Sequence, residues 1–386
     1  MTTGLPGTVA DEIRRHGPLP FDRVLDIALY AVEGGFYESG GRAGGRRGDF
    51  LTSPEVGPLF GAVVAQALDA WWRAMGRPDP YVVVEAGAGP GTLCRMVLAA
   101  APECAAALRY VLVERSAAQR RLQAATLRLE EPALAFAPVD PDTEAPVAGS
   151  PPGPICVSLA ELPRVVGPAV VVANELLDNL PVALAERRDG GWCEVRVDLD
   201  PASEAAGGAR LVERLVPLPD ESTQMLDTLA PDAPAGARVP LQRAAQDWLR
   251  EASVVAGDRG RVIVLDYAST TAEMAARPQT EWLRTYRGHG RGEGVLDALG
   301  GQDVTCEVAV DQLALVRRPT RVAPQADWLR SHGIDDLVAE GRRIWTERAH
   351  LGDLAAVAAR SRVTEADALL DPTGLGGFQV LEWDGS

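Results

Sequence analysis

A ladder of glycines after a short apolar run offers a backbone surface that a ligand could approach closely. Residues 82–84 are valines that lead into Glu85, and Gly87, Gly89 and Gly91 follow at alternate positions. Glycine permits a sharp turn, and its missing Cβ lets a ligand lie against the main chain. The third glycine comes one residue too early for a dinucleotide fingerprint, and no Lys-Ser or Lys-Thr pair follows to form a triphosphate loop. Strand, glycine-rich turn and helix in this order are typical of a nucleotide-binding α/β domain.

A second carboxylate lies where the next strand is predicted to end. Residues 110–113 are Tyr-Val-Leu-Val and Glu114 follows them, about twenty residues beyond the glycine turn, where an acid can hold the hydroxyls of a ribose. The alternative is an ordinary glycine-rich turn with Glu114 on a solvated rim. Acids at the ends of both strands favour a cofactor site. Counting Glu85, the pattern acid-x-Gly-x-Gly-x-Gly resembles the S-adenosylmethionine turn of class I methyltransferases.

Two further acids follow a third predicted strand. Residues 169–173 form a continuous apolar run of the buried type, and Asn174, Glu175 and Asp178 come directly after it. Ligands of open parallel sheets bind beyond the carboxyl ends of the strands, so we expect these side chains in the same crevice as the glycine turn. Their spacing puts Glu175 and Asp178 on one side if the segment turns helically. Capping of a helix is the alternative role for both acids.

A glycine-rich loop and a polar cluster precede the first long apolar helix. Glycine fills much of residues 40–48, residues 49–55 are largely polar, and residues 58–75 predict the helix. The sequence leaves two roles open for this region. Ser53 could cap the helix with Pro54 just inside it, or the loop could fold over a bound ligand as a lid.

The rest of the chain predicts alternating helices and strands with one insertion. Helical periodicity covers residues 8–32 and 116–130, and residues 137–154 predict a surface connection rich in proline, glycine and acids. Alternating strands cover residues 182–219, and we take residues 182–256 as an insertion at the mouth of the site. The other predicted elements are a helix over residues 240–256, a strand over 261–267, helices within 326–360 and a strand over 378–383.

The composition is that of a globular protein with an acidic balance. Of the 386 residues 46% are hydrophobic and 24% are charged, and the net charge of −16 argues against nucleic acid, because phosphate contacts depend on Lys and Arg. The five cysteines are scattered without a Cys-x-x-Cys pair, which predicts reduced thiols and no zinc site. No signal peptide and no run of membrane length is recognisable. We expect a cytoplasmic protein without a nucleic-acid, membrane or metal partner.

Taken together, these stretches resemble the MidA-like methyltransferases, a family related to the mitochondrial complex I assembly methyltransferase, which acts on protein arginine. The resemblance covers nearly the whole chain. In chain order its blocks are residues 28–30 (Ala-Leu-Tyr), 48–55, 85–91, 174–181, and 284–289 followed by 302–305 (Gln-Asp-Val-Thr).

The resemblance implies an α/β fold with a class I methyltransferase Rossmann-like sheet and helices on both of its faces. An inserted α+β subdomain and an N-terminal helical cap complete the expected architecture. The cap with its lid loop would cover residues 1–76 and the cofactor-binding core residues 77–181. The inserted, substrate-facing subdomain would cover residues 182–256, and residues 257–386 would complete the sheet and add C-terminal helices.

The resemblance also implies the cofactor, S-adenosyl-L-methionine, and a lid loop that closes over it. The residues assigned to the cofactor are Glu85, Gly87, Gly89, Gly91, Glu114, Gly48, Asp49, Thr52 and Ser53.

The expected reaction is methyl transfer to arginine side chains of a protein partner. Because a guanidinium stays charged, two carboxylates would grip its fork and localise the lone pair on one nitrogen. The residues assigned to catalysis are Glu175, Asp178, Asn174 and His289, the last as acceptor of the product proton. The alternatives are a small-molecule methyltransferase, or an assembly factor that binds the cofactor without transfer. The oligomeric state is left open, because the helix with Trp71 and Trp72 suits a core or a homodimer interface equally.

Overall fold

The computed structural model describes residues 4–40, 52–136, 151–288, 290–351 and 354–385. The chain divides into two compact units, each assembled from separate stretches of sequence. The core unit comprises Leu51–Glu175, Glu251–Asp266 and Pro319–Ser386, and the accessory unit comprises Met1–Phe50, Leu176–Arg250 and Tyr267–Arg318.

The helices are α1 (Leu5–His16), α2 (Phe21–Tyr30), α3 (Ser53–Val56), α4 (Pro58–Ala74), α5 (Thr92–Ala99), α6 (Ala117–Thr126), α7 (Pro201–Ala205), α8 (Asp220–Leu229), α9 (Arg243–Ala256), α10 (Thr271–Ala275), α11 (Gln279–Trp282), α12 (Val310–Ala314), α13 (Gln325–Ser331), α14 (Ile334–Arg348) and α15 (Leu354–Leu369). None of the helices in the described ranges is long and apolar enough to cross a membrane.

The strands are β1 (Leu19–Pro20), β2 (Tyr81–Ala86), β3 (Leu108–Val113), β4 (Ile155–Leu159), β5 (Ala169–Asn174), β6 (Ala183–Arg188), β7 (Gly191–Leu199), β8 (Leu211–Pro217), β9 (Arg238–Leu241), β10 (Arg261–Asp266), β11 (Ala268–Ser269), β12 (Leu283–Arg287), β13 (Gly290–Arg291), β14 (Asp303–Cys306), β15 (Val308–Ala309), β16 (Arg321–Pro324) and β17 (Gln379–Asp384).

The core unit is built on one sheet with the order β16-β17-β10-β5-β2-β3-β4. Strands β4, β3, β2, β5 and β10 run parallel, while β17 pairs antiparallel with both of its neighbours. All residues of β2 and β3 are buried, as expected for a parallel sheet covered on both faces. Helix α4 packs closely on α5. The missing side chain of Gly61 permits this, since a Cβ there would overlap the Met96 side chain.

The accessory unit contains an antiparallel sheet with the order β1-β7-β6-β9, to which β8 is added at β7, and a smaller sheet with the order β13-β12-β14. Helices α1 and α2 bury their apolar sides in the same hydrophobic cluster as β6, β7 and β12. Alternation of buried and partly exposed residues along β7 is typical of a sheet with one covered face.

Several sequence expectations differ from the observed elements. The helical stretch over residues 8–32 is two helices, α1 and α2, because Gly17 and two prolines interrupt it. The crossover helix predicted to reach residue 130 ends at Thr126, and Ser116 caps it by accepting from the Gln119 N–H. Strands β4, β9, β12 and β14 were not predicted.

The boundaries of the two units also differ from those of the four predicted segments. Helix α4, predicted in the N-terminal cap, lies in the core unit, and residues 267–318, predicted to complete the sheet, lie in the accessory unit. The paired strands and packed helices of each unit come from stretches far apart in sequence, which composition shifts along the chain do not reveal.

Candidate functional site

From β2 the strands β3 and β4 follow on one side of the sheet, and β5 and β10 follow on the other. The crevice at the carboxyl ends of β2 and β5 is therefore a topological switch point. The two strands are parallel neighbours, with Ala86 opposite Ala173. Beyond this level the glycine turn follows β2, and Glu175 follows Asn174, the last residue of β5. The structure therefore brings the glycine turn and the first of the predicted acids to the same edge of the sheet.

The three glycines of the turn all adopt left-handed backbone conformations. The φ angles are +68° at Gly87, +49° at Gly89 and +79° at Gly91, a region that residues with a side chain rarely adopt. A Cβ at Gly91 would lie 2.7 Å from Leu127 Cδ1, so this glycine permits packing. A Cβ at Gly89 would meet no atom within 4 Å, so the backbone there faces open space. A ligand can lie against Gly89.

The main chain of Gly89 is held from two sides. Its N–H donates to Glu114 Oε2 at 2.9 Å, and its carbonyl accepts from Gln123 Nε2 at 2.7 Å. Ser158 Oγ donates to the other end of the Gln123 amide at 2.6 Å, and Glu114 Oε1 accepts from the Ser116 N–H at 2.8 Å. Glu114 therefore lies beside the glycine turn with its carboxylate hydrogen-bonded to the turn, and a carboxylate offers about four lone-pair sites in all. Its contact with a ribose stays a prediction.

The carboxyl group of Glu85 is turned into the protein. Tyr110 Oη donates to Glu85 Oε2 at 2.7 Å, and the carboxyl group also bonds the backbone of Cys94 in α5. Burial raises the pKa of Glu85 to about 8, although the Tyr110 hydrogen bond works against the increase. This geometry favours a positioning role, in which Glu85 ties β2 to β3 and to the helix after the turn. Contact with the cofactor stays a prediction.

Glu175 has the strained backbone and the buried carboxyl group expected of a functional residue. Its φ of +51° lies in the left-handed region, and its N–H donates to the Leu265 carbonyl at 2.9 Å. Its Oε1 accepts from the Ser53 N–H and from Asn174 Nδ2, both at 3.1 Å. Burial raises the pKa of the carboxyl to about 8, and the nearby charge of Asp266 adds to the increase.

Ser53 links Glu175 to a residue that sequence reasoning missed. Its hydroxyl donates to Gln325 Oε1 at 3.2 Å, and both side chains are fully buried. The N-cap of α3 is Thr52, whose N–H donates to Glu55 Oε2 at 3.1 Å, so the alternative in which Ser53 caps a helix does not hold. Ser53 is instead the first helical residue, which leaves its hydroxyl for Gln325. The cofactor contacts of Thr52 and Ser53 stay predictions.

Three of the predicted site residues lie outside the residues that the structure describes. They are Gly48, Asp49 and His289.

Asp178 lies in the accessory unit, in a short 3-10 turn that Tyr30, Tyr37 and Asp303 hold in place. Asn179, its neighbour, donates through Nδ2 to Asp303 Oδ1 at 3.2 Å, and Tyr37 Oη donates to the same oxygen at 3.1 Å. Tyr30 Oη donates to the Asn179 carbonyl at 3.1 Å. Sequence reasoning assigned none of these three holding residues a role, although Tyr30 and Asp303 both stand in family blocks.

The condition under which Glu175 and Asp178 would lie on one side of a helical turn is not met. Glu175 continues the hydrogen bonding of the sheet in a left-handed conformation, and helical hydrogen bonding begins only with the turn Leu177–Asn179. The spacing of three residues therefore does not place the two carboxylates by itself.

The core unit fits an S-adenosylmethionine-type ligand. Gly89 presents open backbone, Glu114 can accept from hydroxyl groups, and Asn174 Oδ1 is buried with no hydrogen-bond partner among the described residues. An unpaired buried acceptor is costly, so a donor such as an ammonium group would stabilise it. In the described ranges no group of three His, Cys, Asp or Glu is arranged to hold a metal ion.

Comparison with known proteins matches this chain to a methyltransferase family. Residues 63–324, more than half of the chain, match the family described as "Putative S-adenosyl-L-methionine-dependent methyltransferase". The mouse mitochondrial protein arginine methyltransferase NDUFAF7 is 28% identical over 345 residues, which cover 84% of this chain and 73% of the mouse protein. Its Drosophila melanogaster homolog is 32% identical over 213 residues, which cover 52% of this chain and 47% of that protein.

A solved structure supports the same assignment. A Burkholderia thailandensis protein, described as a "likely methyl transferase" and bound to S-adenosyl-homocysteine, is 26% identical to this chain with a TM-score of 0.77. The match covers 98% of this chain and 91% of that one. The class I methyltransferase fold predicted from the sequence is confirmed, and so is the family resemblance.

Proposed function

Because the chain belongs to the family of S-adenosyl-L-methionine-dependent methyltransferases, we propose that it methylates arginine side chains of a protein. The names of its relatives, protein arginine methyltransferases in mouse and fly, support a protein substrate and arginine as the acceptor. The cofactor of the family is S-adenosyl-L-methionine, which supplies an electrophilic methyl group.

The observation that carries the proposal is the environment of Glu175. Its carboxyl group lies at the switch point beside the glycine turn, held by Ser53 and Asn174 on a strained backbone. Strain of this kind costs about 1–3 kcal/mol and persists where the surrounding structure enforces it, which is common at active sites. A buried acid is suited to a cation, because the charge of a guanidinium offsets the desolvation of the carboxylate.

The residues of this chain would then work as follows. Gly89 lets the donor lie against the main chain, and Glu114 holds its hydroxyl groups. Glu175, with a pKa of about 8 before the acceptor binds, would release its proton to solvent as the guanidinium arrives, because an opposite charge favours the ionised form. The resulting hydrogen bonds would orient one guanidinium nitrogen for attack on the donor, and such orientation lowers the barrier. Asp178 is proposed as the second carboxylate.

Incubation with tritiated S-adenosyl-L-methionine and a cell extract tests the proposal. Label should enter protein bands, and acid hydrolysis should release it as methylarginine. Label in the small-molecule fraction would favour a metabolite methyltransferase. Binding of S-adenosyl-homocysteine without any transfer would favour an assembly factor that uses the cofactor as a ligand.

We also propose a compartment for the reaction, from the state of the cysteines. None of the five cysteines forms a disulfide in the structure, although the sulfur atoms of Cys94 and Cys156 lie 3.9 Å apart. Free thiols support a reducing compartment such as the cytoplasm, which stays a prediction. The homodimer and the lack of nucleic-acid and membrane partners also stay predictions.

A further inference from the structure

A cleft of about 850 Å³ opens in the accessory unit between β8 and β12. We call it the β8 cleft. One wall is formed by Leu211, Val212 and Glu213 of β8, and the other by α11, β12 and the loop over residues 291–297. Its lining is more apolar than polar, with Phe21, Leu283, Val295 and Leu296 among the apolar residues.

The strand β8 offers a free edge to this cleft. Among the described strands β8 pairs only with β7. Three consecutive residues of β8 line the cleft, although successive side chains of a strand point to opposite faces. The cleft therefore runs along the edge of the strand, where alternate N–H and C=O groups lack a strand partner. An extended polypeptide matches such an edge by adding one more strand.

The opposite wall is fixed by buried polar side chains. Gln302 accepts from the Glu293 N–H through Oε1 and donates to the Gly294 carbonyl through Nε2, both at 3.0 Å. Thr285 Oγ1 donates to the Glu293 carbonyl at 2.7 Å. Gln302 and Thr285 are both buried. The wall is thus preformed, which reduces the ordering cost of binding a peptide.

The unpaired charges of the lining are mainly acidic. The lining residues already held in ion pairs are Arg284, Glu213 and Glu293. Glu281 and Asp297 are exposed and have no ion-pair partner within 4 Å in the described part of the chain. The lining also contains a cation outside these ion pairs, Arg291, whose guanidinium lies over the Tyr286 ring. The lining favours a peptide with basic side chains.

The cleft is connected to the turn that carries Asp178. Strand β12 pairs with β14, with Tyr286 opposite Asp303. Asp303 in turn accepts the hydrogen bond from Asn179, the residue after Asp178. One strand therefore separates the cleft wall from the predicted acceptor acid of the same unit.

We propose that the β8 cleft binds an extended, basic segment of the protein substrate as an added strand on β8. The proposal rests on the proposed function, since it assumes a polypeptide acceptor. Backbone hydrogen bonds to β8 would supply affinity, the apolar floor would take alternate side chains, and Glu281 and Asp297 would select basic residues.

Fluorescein-labelled dodecapeptides test the mode of binding without turnover. The parent peptide alternates lysine and valine around one central arginine, and its Kd is measured by anisotropy with saturating S-adenosyl-homocysteine. Two further versions are N-methylated at either the odd or the even residues. Because an added strand faces β8 with one edge only, one version should lose at least about tenfold in affinity and the other should bind like the parent.

Substitutions in the cleft test its location. Thr280→Trp places a bulky side chain in the cleft and should weaken the parent peptide at least about tenfold, whereas Thr228→Trp, on an exposed position of α8, should change Kd less than about twofold. Glu281→Lys with Asp297→Lys should reverse the preference for lysine over glutamate versions of the peptide. The matched control is Asp189→Lys with Asp232→Lys, two exposed acids of the same unit outside the cleft.

Each outcome decides a separate question. No binding of the parent peptide, equal loss or no loss for both N-methylated versions, or unchanged binding in Thr280→Trp would overturn the cleft proposal. Unchanged S-adenosyl-homocysteine affinity in every variant checks that the fold is intact. Methylarginine formation that is unaffected by the cleft variants refutes the cleft and leaves the proposed function standing. Peptide binding at the cleft without any methylarginine formation refutes the proposed function instead.

Discussion

Glu85 and Glu175 stand at the ends of neighbouring parallel strands, and burial raises the pKa of each to about 8. Their surroundings differ in kind. The carboxyl group of Glu85 bonds Tyr110 inside the sheet, in an ordinary strand conformation. Glu175 adopts a left-handed backbone and accepts from Ser53 and Asn174 beyond the sheet.

The difference shows that a raised pKa alone does not identify a functional acid. Burial raises the pKa equally in Glu85, which holds the fold together, and in Glu175, which we propose binds the acceptor. Backbone strain and the position beyond the strand end separate the two. We propose that the glycine turn after β2 binds the cofactor and that Glu85 stabilises this turn from inside the protein. Glu175, which follows β5, would orient the acceptor.

Gly89→Val should have the greatest effect of the changes considered, and it tests whether the turn after β2 binds the cofactor. Gly89→Val should weaken S-adenosyl-homocysteine binding at least about 100-fold, because a branched side chain fills the open space at the turn and opposes the left-handed backbone. Isothermal titration calorimetry measures the change. Gly207→Val is the matched control, since Gly207 also has a positive φ (+79°) and open space around its Cβ position. Equal affinity in Gly89→Val and wild type would refute the cofactor site.

The second prediction separates the two glutamates. Glu175→Gln should reduce the methyl-transfer rate at least about 100-fold, while S-adenosyl-homocysteine affinity stays within about threefold. Glu85→Gln should leave the transfer rate within about threefold of wild type, because a neutral amide can still accept from Tyr110. Initial rates at saturating cofactor measure both variants. The reverse ranking of the two variants would contradict the comparison.

The pH dependence of transfer should follow Glu175. If the ionised carboxyl group binds the acceptor, kcat/KM for the acceptor should rise about tenfold per pH unit below 8 and level off above it. The profile should become flat in Glu175→Gln and remain unchanged in Glu85→Gln. A profile that keeps its rise in Glu175→Gln would assign the titration to another group.

The last prediction concerns stability. The pKa of Glu85 rises from 4.5 to about 8 in the folded protein, so the folded state binds the proton more tightly. The free energy of unfolding should therefore fall as pH rises between these values, by up to about 1.4 kcal/mol per pH unit. Glu85→Gln should remove this contribution and leave that of Glu175. Urea denaturation at several pH values measures the slopes, and an unchanged slope would show that Glu85 is not buried as described.

Local sequence patterns were sufficient for the elements that carry the site. The valine run before Glu85, the alternating glycines and the apolar run before Asn174 predicted β2, the turn and β5, and the order of elements placed them at one edge of the sheet. Apolar runs bounded by glycines are patterns of neighbouring residues, so they can be recognised without tertiary information.

The partners of the site residues could not be predicted in the same way. Gln325 meets Ser53 across 272 positions of sequence, and Asp303 meets Asn179 across 124. Such pairs depend on how distant stretches combine within each unit. The left-handed conformation of Glu175 was missed for a related reason, because the surrounding hydrogen bonds impose it against the preference of the residue.

A single-turnover experiment tests whether Glu175 aims an arginine side chain at the methyl donor. Enzyme in excess is loaded with S-adenosyl-L-methionine carrying a deuterated methyl group, mixed with proteins of a cell extract, and the acceptors are analysed by mass spectrometry. We expect labelled methylarginine within one turnover for the wild type and Glu85→Gln, and at least about 100-fold slower labelling for Glu175→Gln at equal cofactor occupancy. Labelling of arginine at the wild-type rate in Glu175→Gln would contradict this role of Glu175.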